Sequence, residues 1–160
     1  MSDPLEAVVP QALRGELDGD PAVDDGFTVL VLSDASGWPH LAMISRGEIV
    51  CADDRALRLA LWPSSTACAN LTAQGRATLC AVVDGVAYSV RVLTRRLEDI
   101  NTPLAGRLAC FQADVEAAAA DRAPYAVLES GVRFRLLEPE ATLERWRETR
   151  GALRQVGVSR

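Results

Sequence analysis

Three hydroxyl side chains in a row, Ser64, Ser65 and Thr66, follow Pro63 and lead into Ala67, Asn70 and Leu71. Proline and hydroxyl residues ahead of an apolar i, i+4 pair, here Ala67 and Leu71, are start signals for a short helix. The first backbone N–H groups of such a helix lack acceptors within it, and hydroxyls beside them complement the charge and oxygens of a phosphate. The same residues serve equally as a plain N-cap, and residue types alone leave both roles open. His40 is the only histidine. It has the chemistry of an acid–base group or a haem ligand, or it simply begins a strand after Gly37-Trp38-Pro39. Trp38 and Trp62 suit stacking on a planar ring as well as packing in a core or interface. Arg58 and Arg91 alternate with apolar neighbours, which also suits solvated strand positions or ion pairs with Asp53, Asp54 or a partner subunit.

Other chemistries are excluded or disfavoured by composition. All 17 basic residues are arginine, so Schiff-base lysine chemistry is ruled out and any phosphate clamp must use Arg, backbone N–H groups or hydroxyls. A formal net charge of −5 opposes the clustered basic surface that nucleic acid requires. Cys51, Cys68, Cys80 and Cys110 are widely spaced with no C-x-x-C pair, so they read as reduced, packed thiols and no metal site is expected. No Ser/His/Asp set, G-x-S-x-G elbow, G-x-G-x-x-G or Walker motif is present. Asp24-Asp25, Asp53-Asp54 and Asp84 read as turn or surface acids, since neighbours on a strand point to opposite faces. Neither a long apolar run nor a basic-then-apolar N-terminus occurs, so no membrane span or signal peptide is expected and a cytoplasmic location is.

The elements that must position these residues follow from periodicity. Leu5, Val9 and Leu13, interrupted by Pro10 and ended by Asp18-Gly19-Asp20-Pro21, predict a helical lead-in over 1–20. Residues 27–32 are β-rich, and Asp34-Ala35-Ser36-Gly37 has the turn chemistry to return the chain into a strand over 39–45. A short strand over 48–52 follows Gly47. In 57–62 the leucines alternate with Arg58, Ala60 and Trp62, giving one core face and one that meets solvent, ligand or a partner. The helix begun at Ser64-Ser65 ends near Gly75. Asp84-Gly85 between apolar runs is a strong hairpin signal and joins strands over 76–83 and 86–97. Leu104, Leu108, Phe111, Val115 and Ala118 trace a helical face through an alanine-rich run, predicting a flanking helix over 104–120. Val132, Phe134 and Leu136 predict a late strand, and Pro139 opens a terminal helix over 139–154, with Trp146 as its packing anchor. The sum is one mainly β domain over 1–160 with flanking helices, a small barrel closed by hairpins. An amphipathic strand and an alanine-rich helix leave more apolar surface than one small barrel covers, so a homodimer is expected.

One ordered set of motifs adds a resemblance. Gly37-Trp38-Pro39 before His40-Leu41-Ala42-Met43-Ile44-Ser45, then Leu57-Arg58-Leu59-Ala60-Leu61-Trp62, Ser65-Thr66-Ala67 with Asn70-Leu71, Gly75-Arg76-Ala77-Thr78-Leu79, and Ser89-Val90-Arg91-Val92 together resemble the pyridoxamine 5'-phosphate oxidase-like family, the FMN-binding split barrels. The resemblance covers a little under half the chain. It implies a split β-barrel and FMN held in a groove between two subunits. In that reading the turn Ser64, Ser65 and Thr66 contacts the flavin phosphate, and the backbone of the strand of His40, Ala42, Met43, Ile44 and Ser45 lines the isoalloxazine edge. Arg58, Ser89 and Arg91 match positions near phosphate or ring.

The chain also departs from the family pattern. Thr66 and Ala67 stand where an Arg-Lys pair is expected, Ala42 stands where the strand would carry an Arg, and the C-terminal Arg-x-His that binds pyridoxal phosphate is absent. Pyridoxamine phosphate oxidase activity itself is therefore rejected. The expectation is an FMN-dependent oxidoreductase for an unidentified small molecule, with no catalytic residue assignable. The rival is a non-catalytic module of the same fold that holds haem, deazaflavin or no cofactor.

Overall fold

Alternation of apolar and polar residues along most of the chain resolves into a sheet of nine strands among the described residues. The computed structural model describes residues 2–19, 26–34 and 36–157. Asp20-Pro21, the Asp24-Asp25 pair and Ala35 of the turn lie outside these. The strands are β1 (Ser2–Leu5), β2 (Thr28–Ser33), β3 (His40–Ser45), β4 (Ile49–Cys51), β5 (Ala56–Leu61), β6 (Arg76–Val83), β7 (Val86–Arg96), β8 (Ile100–Thr102) and β9 (Gly106–Asp121). The helices are α1 (Gln11–Asp18), α2 (Thr66–Gln74) and α3 (Pro139–Gln155), with a 3-10 turn at Arg46–Glu48. The path β3-β2-β6-β7-β9-β5-β4 is antiparallel throughout, and β1 and β8 both pair with β9. The sheet curls into a split β-barrel.

Local signals place most turns. Asp84 and Gly85 both take positive φ, 49° and 75°, as a two-residue hairpin requires if its twist is to match the strands it joins. Asp34 Oδ1 accepts from the N–H groups of Ser36 and Gly37 at 2.9 and 2.7 Å, an Asx-type turn between β2 and β3. Inside the curl, Val29, Val31, Leu57, Leu59, Leu79, Val90, Val92 and Phe111 meet Leu13 and Leu17 of α1 and Ala67 and Leu71 of α2.

A second core lies on the opposite face. There Val50, Ala60, Leu108 and Cys110 pack with Ile100 and with Leu153 of α3. The helix is bolted down at its middle. Arg150, 1% exposed, donates to the carbonyls of Leu17, Arg46 and Ile49 at 2.7, 2.5 and 3.1 Å. Beside it, the Trp146 indole lies on Gly47 so closely that a Cβ there would sit 2.0 Å from the ring. Gly47 is thus required by packing.

Three expectations are corrected. Residues 104–120 are not a helix: from Gly106 onward they form β9, which pairs with β7 on one side and with β5 and β1 on the other. The apolar spacing also fits a strand, and ladder bonds on both sides outweigh alanine's high helix propensity, a bias of well under about 1 kcal/mol per residue that tertiary context overrides. The lead-in over 1–20 is helical only at Gln11–Asp18. Ser2–Leu5 instead pairs with Ala118–Asp121, because Pro10 ends any helix running forward from Leu5 and stands at the α1 N-cap. Residues 132–136 form no strand; Phe134 N–H donates to Gly26 O at 3.3 Å, and no described strand edge pairs with them. The terminal helix and the hairpin stand where the sequence puts them.

Candidate functional site

The first candidate cradle is the N-terminus of α2. Ser65 is its N-cap: the Oγ accepts from Cys68 N–H at 3.2 Å and donates to Trp62 O at 2.8 Å. That hydroxyl is spent on capping. Ser64 and Thr66 are exposed, and the N–H groups of Thr66 and Ala67 donate to no described residue. One cation stands near this turn that sequence reasoning missed. Arg96, at the end of β7, places Nη1 3.5 Å from Cys68 Sγ, lies 5.2 Å above the Phe111 ring and donates to Asp99 Oδ1 at 2.5 Å. Asp99 also accepts from Arg107 at 2.6 Å, and these two guanidinium bonds hold its carboxyl below the usual carboxylate range. No local signal marks Arg96, which lies 28 residues from Cys68.

The second candidate is the outward face of β2, β3, β6 and β7. Cross-strand register puts Leu30 beside Met43 and Cys80, Leu32 beside Leu41 and Thr78, Ser89 beside Cys80, and Arg91 beside Thr78. Leu41, Met43 and Leu93 are each at least half exposed. Two clefts indent this face. One of 360 Å³ holds Arg91 with Arg76, Thr78, Leu32, Asp34 and Glu116, and one of 250 Å³ holds Ser89 with Leu30, Cys80 and Tyr88. Glu116 is the residue left unpaired where the β7–β9 register shifts at Arg91 and Val92, and such a bulge re-aims a side chain. Ser64, Ser65 and Thr66 line neither cleft.

The sequence-predicted residues of β3 divide between faces. His40, half-buried, opens the strand and pairs with Ser33, which Asn70 of α2 bonds at 3.1 Å. Ala42 faces inward beside Val31, and Ile44 is buried. Met43, Ile44 and Ser45 line a separate 440 Å³ cavity with Glu48, Arg145 and Trp146. Ser45 caps the 3-10 turn, accepting from Gly47 N–H at 3.2 Å, while Glu48 Oε2 accepts from its N–H and Oγ at 2.7 and 2.9 Å. Burial pushes the Glu48 carboxyl up from its ordinary value, against the Ser45 bonds and the nearby Arg145 charge.

Arg58 leaves the site altogether. Its Nη1 donates to Leu153 O and Arg154 O, both at 3.0 Å, so it caps the C-terminus of α3. Neither Asp53 nor Asp54 bonds it. Alternation along β5 shows that Arg58 faces outward, but only the fold shows that a helix end waits there. The thiols are packed as expected: burial raises Cys51 to about 12 and Cys110 to about 11, far from reactive thiolates. Among the described residues no group of His, Cys, Asp and Glu is arranged to hold a metal, and no helix is long and apolar enough to cross a membrane.

No family model matches the chain. The uncharacterized protein YclD of Bacillus subtilis (strain 168) is 36% identical over 135 residues, which span 83% of this chain and 87% of YclD. This chain belongs to the YclD family. Among solved structures, a variant of HupZ from Group A Streptococcus superposes with a TM-score of 0.55 at 12% identity, over 71% of this chain and 99% of that one. A candidate pyridoxamine 5'-phosphate oxidase from Lactobacillus delbrueckii gives 0.54 at 15% identity, over 72% and 98%. An FAD-binding protein from Mesorhizobium loti gives 0.50 at 11% identity, over 76% and 99%. At such identities the likeness establishes the fold. This member of the YclD family has the split barrel of pyridoxamine 5'-phosphate oxidase-like proteins.

Proposed function

We propose that this protein binds FMN in a groove between two copies of the chain and acts as a flavin-dependent oxidoreductase on a small molecule. The observation that carries the reading is the outward sheet face. It exposes Leu41, Met43 and Leu93 around clefts that hold Arg91 and Ser89. Exposed apolar surface of this kind marks an interaction site, and a two-fold pairing through this face uses the same patch on both copies.

The residues present fit such a cofactor. The exposed Ser64 and Thr66 offer their hydroxyls and the Thr66 N–H to phosphate oxygens, while β3 offers backbone and Met43 to a ring edge. The missing Arg-Lys pair leaves this turn short of charge, and Arg76 and Arg91 of the facing copy supply guanidinium groups. Charge-assisted bonds of that kind are about twice as strong as neutral ones. A bound flavin supplies hydride or electron transfer, and the protein supplies placement and electrostatics.

Freshly purified protein tests the reading through its absorption spectrum, calorimetry with FMN and riboflavin, and light scattering. A yellow dimer whose flavin occupancy rises with subunit concentration, and which prefers FMN to riboflavin, is the expected result. A colourless protein that takes up no FMN, or one with a haem Soret band instead, overturns it.

A further inference from the structure

We propose that the cavity enclosed by the end of β3, the Arg46–Glu48 turn, residues 132–136 and the start of α3 binds a small aromatic acid that also carries a hydrogen-bond donor. At 440 Å³ it falls within the range of about 300–1,000 Å³ typical of small-molecule sites. Met43, Ile44, Phe134 and Leu136 give it apolar walls, and Trp146, set edge-on to Phe134 with centroids 6.1 Å apart, closes one side.

Two polar groups inside are incompletely used. Glu48 Oε2 holds both Ser45 bonds, whereas Oε1 bonds no described residue and is not sealed from the cavity. It awaits a donor. Arg145 is half-buried and lines the cavity, and no described carboxylate lies within ion-pairing reach of it. Its charge is nonetheless felt at Glu48, so guanidinium and carboxyl face the same space without closing on each other. Arg133 adds a second guanidinium to the lining.

Arg145 and the open Oε1 of Glu48 thus face the same space, one a charged donor and the other an acceptor. An anion satisfies Arg145, and a hydroxyl or N–H on the same ligand satisfies Oε1. The apolar walls between them call for a ring. The cavity shares Met43 and Ser45 with the strand assigned above to the flavin edge. Its role as the substrate pocket of that site rests on the flavin reading, whereas binding of the acid does not.

The test uses the full chain, with and without FMN, and 4-hydroxybenzoate as the probe. Calorimetry is paired with the fluorescence of Trp146 in protein carrying Trp38→Phe and Trp62→Phe. Saturable binding with a fluorescence change is expected, with benzoate weaker for want of the donor and phenol weaker for want of the acid. Arg145→Gln should lower affinity about tenfold and Arg145→Glu abolish binding, since each removes a charge-assisted bond. Absence of acid binding overturns the proposal. So does equal affinity for benzylamine, or unchanged affinity in a folded Arg145→Gln protein. Acid binding without any FMN uptake overturns only the flavin reading, and FMN uptake without acid binding overturns only this one.

Discussion

One sheet carries two outward faces with the same alternation and opposite fates. Over β4, β5 and the first half of β9, the outward residues Val50, Ala60, Leu108 and Cys110 lie beneath α3 and are buried. Over β2, β3, β6 and β7, the outward residues Leu30, Leu32, Leu41, Met43, Cys80 and Leu93 remain half-buried or exposed. The chain covers the first face with its own helix, held by Leu153, Trp146 and the three carbonyl bonds of Arg150. The second is where the clefts of Arg91 and Ser89 open. Burying apolar area gives roughly 25 cal/mol per Å², stabilisation that the first face gains from α3 and that the second would gain only from the pairing proposed above.

Breaking the covered face should have the largest effect. Arg150→Met removes the donor to three buried carbonyls, and unsatisfied buried groups cost about 1–3 kcal/mol each. Urea denaturation should show a loss of about 3 kcal/mol or more, with α3 detaching from the 3-10 turn. A variant as stable as the parent would mean that those carbonyls find other partners and that α3 is held by apolar contacts alone.

The open face should answer differently. Leu41→Asp with Met43→Asp places like charges on the face proposed above as the contact between copies, while both sites are already exposed in one chain. The dimer dissociation constant should rise at least about a hundredfold, with the stability of the separated chain changed by no more than about 0.5 kcal/mol. Light scattering and sedimentation decide it, and an unchanged mass would show that this face is not the contact.

Smaller effects separate capping from ligand binding at α2. Ser65→Ala should cost about 1 kcal/mol of stability, since its hydroxyl serves the cap. Thr66→Ala should leave stability nearly unchanged and reduce the preference for FMN over riboflavin, as read by calorimetry. If Ser65→Ala alters that preference while Thr66→Ala does not, the assignment of the two hydroxyls is reversed.

The smallest effect carries a sign. Burial raises the folded-state pKa of Glu48 above its ordinary value of 4.5, so the folded chain binds the proton more tightly than the unfolded one. The penalty is absent below 4.5 and grows as pH rises from there through the folded value. Glu48→Gln removes it and keeps an acceptor for Ser45. Thermal melts should therefore show the variant gaining on the parent as pH rises across that window, and a gap that shrinks instead would contradict the burial of this carboxyl.

Much of the frame was legible from local patterns. The β2–β3 turn, the Asp84-Gly85 hairpin, the Ser65 cap and the terminal helix each depend on residues a few positions apart. The candidate site was less so. His40, Ala42, Met43, Ile44 and Ser45 do form one strand, but alternation splits their side chains between a core-facing side and the open side, so only its backbone runs as a single row. Ser89 and Arg91 share a face, as period-two spacing says they must. For Arg58, spacing tells which way the side chain points and never that the C-terminus of α3 meets it.

By itself the sequence determined the strand alternation and the turn and cap chemistry, because these are set by φ/ψ preference and nearest neighbours. Tertiary structure decided that residues 106–121 are a strand, since an alanine-rich run satisfies either period until two neighbouring strands claim its hydrogen bonds. It also assigned the arginines. Arg96 reaches Cys68 across 28 residues, Arg58 reaches Leu153 across 95 and Arg150 reaches Arg46 across 104. A long, always-charged side chain carries no local preference for any of these partners, so only the packing that removes water around it selects one.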